Sequence, residues 1–214
     1  YHTIKPGEIS IANNPPDVSI GLPDRYAFEN AVYASNDWKA TGKLSIAYGL
    51  RVSAFSILGK GDYYTLDDQG QVKDTMHYNR GEVVKTYINP EPRLSVSYLL
   101  NNSSAVKASY TRNTQNLHLI SNSTASSPTD KWVASTNIIK PEIADQFAVG
   151  YYKNWKDGKY ELSVEAYYKA MQNQIDYRNG AQVFTNDAIE TQLLFGKGRA
   201  YGMEWLLKKK TGRF

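Results

Sequence analysis

From Lys43 to Phe55 the chain alternates strictly: Leu44, Ile46, Tyr48, Leu50, Val52 and Ala54 fall on one face, Ser45, Ala47, Gly49, Arg51 and Ser53 on the other. A period of two with one apolar face marks a half-buried β-strand. The same pattern recurs with Leu94, Val96, Tyr98 and Leu100 opposite Arg93, Ser95, Ser97 and Leu99, and with Val106, Ala108 and Tyr110 opposite Lys107, Ser109 and Thr111. Asn101 to Ser104 reads as a tight turn between these two runs. A further pair sets Phe147, Val149 and Tyr151 against Gln146, Ala148 and Gly150, then Tyr160, Leu162, Val164, Ala166 and Tyr168 against Glu161, Ser163, Glu165, Tyr167 and Lys169. Asn154 to Gly158 joins them. The last run carries Tyr201, Met203, Trp205 and Leu207 opposite Ala200, Gly202 and Glu204. With a less regular run from Arg25 to Ser35, the pattern predicts seven strands and no helix.

The links alternate in length. Asn36 to Gly42, Asn101 to Ser104, Asn154 to Gly158 and Thr211 to Arg213 are short, whereas about Ser56 to Val83, Asn116 to Pro141 and Asp176 to Phe195 are long. In an up-and-down antiparallel sheet every short link lies at one end, the asymmetry of outer-membrane barrels with short periplasmic turns and long extracellular loops. A Greek-key sandwich can mix lengths but has no reason to alternate them. The fold class expected is therefore all-β, an antiparallel up-and-down sheet of about seven strands forming part of a transmembrane β-barrel. Long unstructured links usually carry function.

Composition narrows the chemistry. The 214 residues include no cysteine, which removes disulfide scaffolds, cysteine-bound metals and thiol nucleophiles. His2, His77 and His118 are the only histidines and show no local ligand spacing. The formal charge of +4 comes from scattered basic residues, so no nucleic-acid footprint emerges. A spanning helix needs about 20 consecutive apolar residues, and the apolar runs here are a few residues long. A β-barrel leaves no such mark. The 17 tyrosines fall partly on the apolar face, at Tyr48, Tyr98, Tyr110, Tyr151, Tyr168 and Tyr201. They suit a headgroup-level girdle, but tyrosine covers soluble sheets equally well.

Three segments resemble the TonB-dependent outer-membrane receptors. Leu194 to Glu204 (LFGKGRAYGME) is similar to a barrel strand of that family with a Gly-x-Ala/Ser-x-Gly-x-Glu pattern. Ile139-Lys140-Pro141-Glu142 with Asp145-Gln146-Phe147 resembles another strand start, and Asn36-Asp37-Trp38 with Tyr48-Gly49-Leu50-Arg51 resembles a periplasmic turn and the strand leaving it. The resemblance covers about Asn30 to Phe214. It implies that residues 1–214 are part of a barrel domain without its plug, signal peptide or C-terminal strand, since the chain starts at Tyr1 without Met and stops after a turn-like triplet. It also implies residence in the bacterial outer membrane, contact with its lipid, a plug domain and TonB as partners, and energised import of a scarce or bulky nutrient such as a metal chelate, a cofactor or an oligosaccharide. No resident cofactor or metal is implied. The alternative is a soluble β-rich ligand-binding module of carbohydrate-binding type, whose apolar face would be its core.

The candidate ligand-binding residues are Tyr63, Tyr64 and Trp132, expected to be exposed in long loops where flat rings could stack on cargo. Catalytic readings are weak. Glu161 and Glu165 share a face roughly 13 Å apart, beyond glycosidase carboxylate spacing, and Glu204 lies on a face of the same kind. His118 lies near Ser121 and Asn122, but there is no GxSxG elbow. Asp62, Asp67 and Asp68 lack the calcium-loop pattern and read as an acidic hairpin tip. Lys208, Lys209 and Lys210 could meet phospholipid headgroups or simply solvent. An isolated sheet of this kind is expected to self-associate, or to curl so that Leu44, Ile46, Val52, Leu162, Val164 and Leu207 become buried.

Overall fold

The computed structural model describes residues 1–5, 8–11, 18–121, 130–181 and 188–210. Its strands are β1 (His2–Ile4), β2 (Glu8–Ile11), β3 (Val18–Gly21), β4 (Arg25–Lys39), β5 (Leu44–Leu58), β6 (Gly61–Leu66), β7 (Val72–Tyr78), β8 (Val83–Asn101), β9 (Ser104–Gln115), β10 (Leu117–Ile120), β11 (Lys131–Ala134), β12 (Glu142–Trp155), β13 (Tyr160–Tyr177) and β14 (Leu193–Lys209). Eight form one antiparallel sheet in the order β1-β4-β5-β8-β9-β12-β13-β14. Seven of these are the strands the alternation predicts, each longer than expected, and β1 adds a short edge. The sheet is open, with β1 and β14 as its edges.

Every long strand pairs with its predecessor, so the up-and-down topology holds. The short links are one-turn reversals: Thr41 Oγ1 accepts from the amides of Lys43 and Leu44, Asn101 Oδ1 accepts from the Ser103 amide, and Lys156 and Asp157 adopt positive φ before Gly158. The expected turn at Thr211 to Arg213 lies outside the described residues. The long links carry hairpins of their own, β6–β7 and β10–β11, and one 3-10 turn at Ile189–Gln192 where no helix was expected.

Register lines up the two faces. On the apolar side Leu44, Tyr98, Val106, Tyr151, Val164 and Trp205 form one row across six strands, and Ile46, Val96, Ala108, Val149, Ala166 and Met203 the next. A third row holds Tyr48, Leu94, Tyr110, Phe147, Tyr168 and Tyr201. On the opposite side the rows read Ser45, Ser97, Lys107, Gly150, Glu165, Glu204 and Ala47, Ser95, Ser109, Ala148, Tyr167, Gly202. We call these the outer and inner faces.

The cores lie at the end with the long links. Ala27, Phe55 and Ile57 from the inner face are buried with Ile4, Tyr63 and Ala134, and Tyr87 packs against them. The β6–β7 hairpin and β11 therefore fold over the inner face. A second cluster joins Ile120, Val133, Ile139, Ile189 and Leu193. The outer face has no such cover: Phe147, Val149, Met203, Trp205 and Leu207 are all more than half exposed. The expectation that the single chain curls to bury its apolar face is corrected. Leu207 is exposed, Leu44, Ile46, Val52, Leu162 and Val164 are half-buried, and among the described residues no second sheet covers them.

Candidate functional site

The inner wall is a polar surface built on small residues. Lys107 places its ammonium over the Tyr152 ring at 4.6 Å, and the Tyr152 hydroxyl donates to Glu165 at 2.9 Å. That ring lies over Gly150, where a Cβ would meet its Cε2 and hydroxyl at 3.0 Å; Tyr167 covers Gly202 at the same distance. Register sets Glu165 directly opposite Glu204, a like-charged pair that sequence spacing did not suggest. Glu161, its expected companion, instead pairs with Lys210 at 2.9 Å.

Toward the long-link end the inner wall becomes a network. Arg51 pairs with Glu91 at 3.2 Å, Glu91 accepts from the Thr114 amide and hydroxyl, and Asn89 donates to Asn116 at 3.4 Å. Above it lies a recess of about 280 Å³ lined by His2, Ile4, Glu29, Phe55 and residues 114–117. It is open, lined by both polar and apolar side chains, and large enough for part of a small ligand.

The three predicted ligand residues separate. Tyr63, expected to be exposed, is fully buried: its hydroxyl donates to the Leu58 carbonyl at 3.0 Å, its ring lies edge-on to Tyr78, and the Arg25 guanidinium stacks on it at 4.2 Å. The hairpin turns its face inward, so Tyr63 packs the loop onto the wall. Burial pushes its phenol pKa up. Tyr64, its neighbour on the opposite face of β6, is half-buried, and its carbonyl accepts from Asn137 at 2.7 Å. Trp132 is 46% exposed and borders a pocket with Leu22, Pro23, Arg25 and Glu190. That pocket holds about 20 Å³, room for a water and not for a cargo molecule. The Glu190 carboxyl beside it is almost fully buried, which raises its pKa.

His118 meets Ser135, not Ser121. Its Nε2 lies 3.2 Å from the Ser135 hydroxyl and its Nδ1 3.4 Å from Glu142, because β10 and β11 pair and press the ring against β12. Ser135 is fully buried and His118 nearly so. No substrate reaches such a serine, and the burial that seals it lowers the imidazole pKa to about 4. The contact ties a loop hairpin to the sheet. Asn122 lies outside the described residues. Asp62 pairs with His77 at 2.6 Å, and Asp67 accepts the amides of Gln69 and Gln71, so it closes the β6–β7 turn as an acidic tip should. The described residues contain no group of three or more metal-ligating side chains.

An open up-and-down sheet with an uncovered apolar face, a polar inner wall and long links folded over that wall defines a segment of a transmembrane β-barrel. Residues 3–210 match the family model for TonB dependent receptor-like β-barrels, and the chain belongs to that family. Its members are transporters of the Gram-negative outer membrane, not enzymes. Among solved structures the fold is similar to the copper transporter OprC (TM-score 0.60, 15% identity, 95% of this chain and 30% of that one). It is also similar to the FrpB iron transporter from Neisseria meningitidis (0.57, 14%, 90% and 25%) and to a chain of the FpvAI–pyocin S2 complex (0.54, 17%, 92% and 22%). The chain thus spans less than a third of each. No curated protein matches.

Proposed function

We propose that this chain forms part of the wall of an outer-membrane importer that takes up a scarce or bulky nutrient with TonB-coupled energy. The observation that carries this reading is the segregation of the faces. The outer rows are apolar and uncovered, as contact with hydrocarbon requires; the inner rows are small and polar, as a wall against a plug domain requires. The long links fold over that inner wall at one end, where incoming cargo would first meet the barrel. The soluble binding-module reading requires the apolar face to be a core, and none of the described residues packs a second layer on that face.

Fold neighbours that carry iron and copper favour a metal chelate as cargo over a cofactor or an oligosaccharide. Trp132 and Tyr64 are the aromatic groups left to touch it, together with the recess at His2, Glu29 and Asn116. The plug, TonB and membrane lipid are the partners. Uptake of a labelled ferric or cupric chelate by cells carrying the full-length protein tests the reading: uptake should stop when TonB is deleted. Trp132→Ala should weaken it several-fold at unchanged protein level in the membrane. Uptake indifferent to TonB refutes energised import, and a fall in protein level in step with uptake makes Trp132 a packing residue.

A further inference from the structure

We propose that Lys197 and Arg199 on the outer face of β14 hold the phosphate of a lipid headgroup. The inference rests on the reading of the outer face as the lipid face. Alternation along β14 puts both side chains on the side of Tyr201, Met203 and Trp205, and two residues on one face of a strand stand roughly 6.6 Å apart. Two cations at that spacing are close enough to share one phosphate.

Register supplies the rest of the site. Lys197 stands opposite Gln172, Arg199 opposite Ala170, and Tyr201 opposite Tyr168. At the short Ala170 the surface dips into an open recess of about 460 Å³ bounded by Tyr168, Gln172, Lys197 and Arg199, with Met171 and Gly198 of the intervening positions also lining it. The amide of Gln172 can donate to a phosphate oxygen, and the Tyr168 ring gives the acyl side an apolar wall. Asp145 lies in the same row as Arg199, two strands away, but it is already engaged. Arg112 holds it through Nε at 2.7 Å and a terminal nitrogen at 3.0 Å, and the Tyr110 hydroxyl donates to it at 2.7 Å. Lys197 and Arg199 have no acidic partner among the described residues.

Height selects the occupant. The row immediately toward the short turns is the aromatic one, Tyr110, Phe147, Tyr168 and Tyr201, and such rings settle at headgroup level. The two cations lie one and two rows beyond it, on the long-link side, where phosphates begin. An acidic protein partner would need a surface free of lipid directly below, and there the face is continuously apolar.

The test uses the full-length protein in nanodiscs of a phosphate-free galactolipid doped with phosphatidic acid or, as the control, diacylglycerol, with retained lipid counted by native mass spectrometry. Wild-type protein should retain phosphatidic acid in preference to diacylglycerol. Lys197→Gln with Arg199→Gln should lower that retention about 30-fold, from roughly fivefold for each cation at an anionic surface. The charge-preserving exchange Lys197→Arg with Arg199→Lys should keep most of it, and Lys60→Gln with Lys73→Gln in the β6–β7 link should keep all of it. Unchanged retention in the double glutamine variant, or equal loss in the loop control, overturns the proposal. A nitroxide at Val164→Cys separates this from failure of the underlying reading. Accessibility to oxygen confirms the lipid face whatever the retention result, and accessibility to an aqueous nickel chelate removes the lipid face and the headgroup site together.

Discussion

Acid should open the β10–β11 hairpin before it unfolds the sheet. His118 is 2% exposed between that hairpin and β12, and burial lowers its pKa from 6.5 to about 4. The Glu142 carboxylate at 3.4 Å is too distant for a good hydrogen bond, so desolvation decides the outcome. In the opened hairpin the imidazole returns to water and titrates near 6.5. Between pH 6.5 and 4 the open form therefore binds a proton that the closed form excludes, and closure weakens as pH falls. The shift corresponds to about 3 kcal/mol in full, and to about 2 kcal/mol at pH 5. That is roughly a 30-fold gain in the open population. Glu142 acts with the opposite sign: burial raises its pKa, so its contribution is present at low pH and fades as pH rises. Hydrogen exchange of the β10 and β11 amides, corrected for intrinsic rate, should show protection falling between pH 7 and 5 while the β12 and β13 amides stay closed. His118→Gln should flatten that profile. Protection that is constant over the range, or that falls equally in His118→Gln, refutes the mechanism.

Three other outcomes follow from the faces. Val164→Arg, in the middle of an outer row between Tyr151 and Trp205, should cost about 2 to 4 kcal/mol of barrel stability in urea unfolding from bilayers, and Ser163→Arg on the inner face much less. Gly202→Ala places a Cβ 3.0 Å from the Tyr167 ring and should cost about 1 kcal/mol, a penalty that Tyr167→Ala removes in a double-mutant cycle. With the short turns periplasmic, a membrane-impermeant thiol reagent on intact cells should label cysteines placed between Asp62 and Gly70 but not between Asn101 and Ser104. The reverse pattern inverts the barrel.

Strand existence and facing were legible in the sequence because a period of two survives wherever one face is apolar. Strand ends were not. β8 begins ten residues before the run read from Arg93, through Asn89-Pro90-Glu91-Pro92, a sequence that argues against a central strand. The prolines are tolerated because β8 pairs with β9 only from Arg93 onward, so over Pro90 and Pro92 its only ladder is with β5. β13 likewise runs past Lys169 through a bulge at Asn173, whose φ of 56° breaks the alternation that sequence reading follows. The candidate site was less legible still. Adjacent Tyr63 and Tyr64 must point to opposite faces, but nothing local says which points inward. For His118, proximity in sequence selected Ser121, whereas hairpin pairing brings Ser135, seventeen residues on.

Tyrosine content alone could not separate a membrane girdle from ordinary sheet cover; register does. The tyrosines at 48, 110, 168 and 201 fall into one line with Leu94 and Phe147, although they come from four different strands with links of unequal length between them, while Tyr98 and Tyr151 share the line two rows nearer the short turns. Packing against a second sheet would distribute large rings wherever the opposing surface dips, and the described residues provide no opposing surface. A line perpendicular to the strands answers to something layered along the strand direction. On β9, β12 and β14 the residues on its two sides differ: Ala108, Val149 and Met203 come toward the short turns and Arg112, Asp145 and Arg199 toward the long links, whereas on β5 the outer face stays apolar through Leu50 and Val52. On those three strands an apolar medium on one side and an ionic one on the other is the profile of a bilayer edge, and a chain folding in uniform solvent has no reason to sort them in that way.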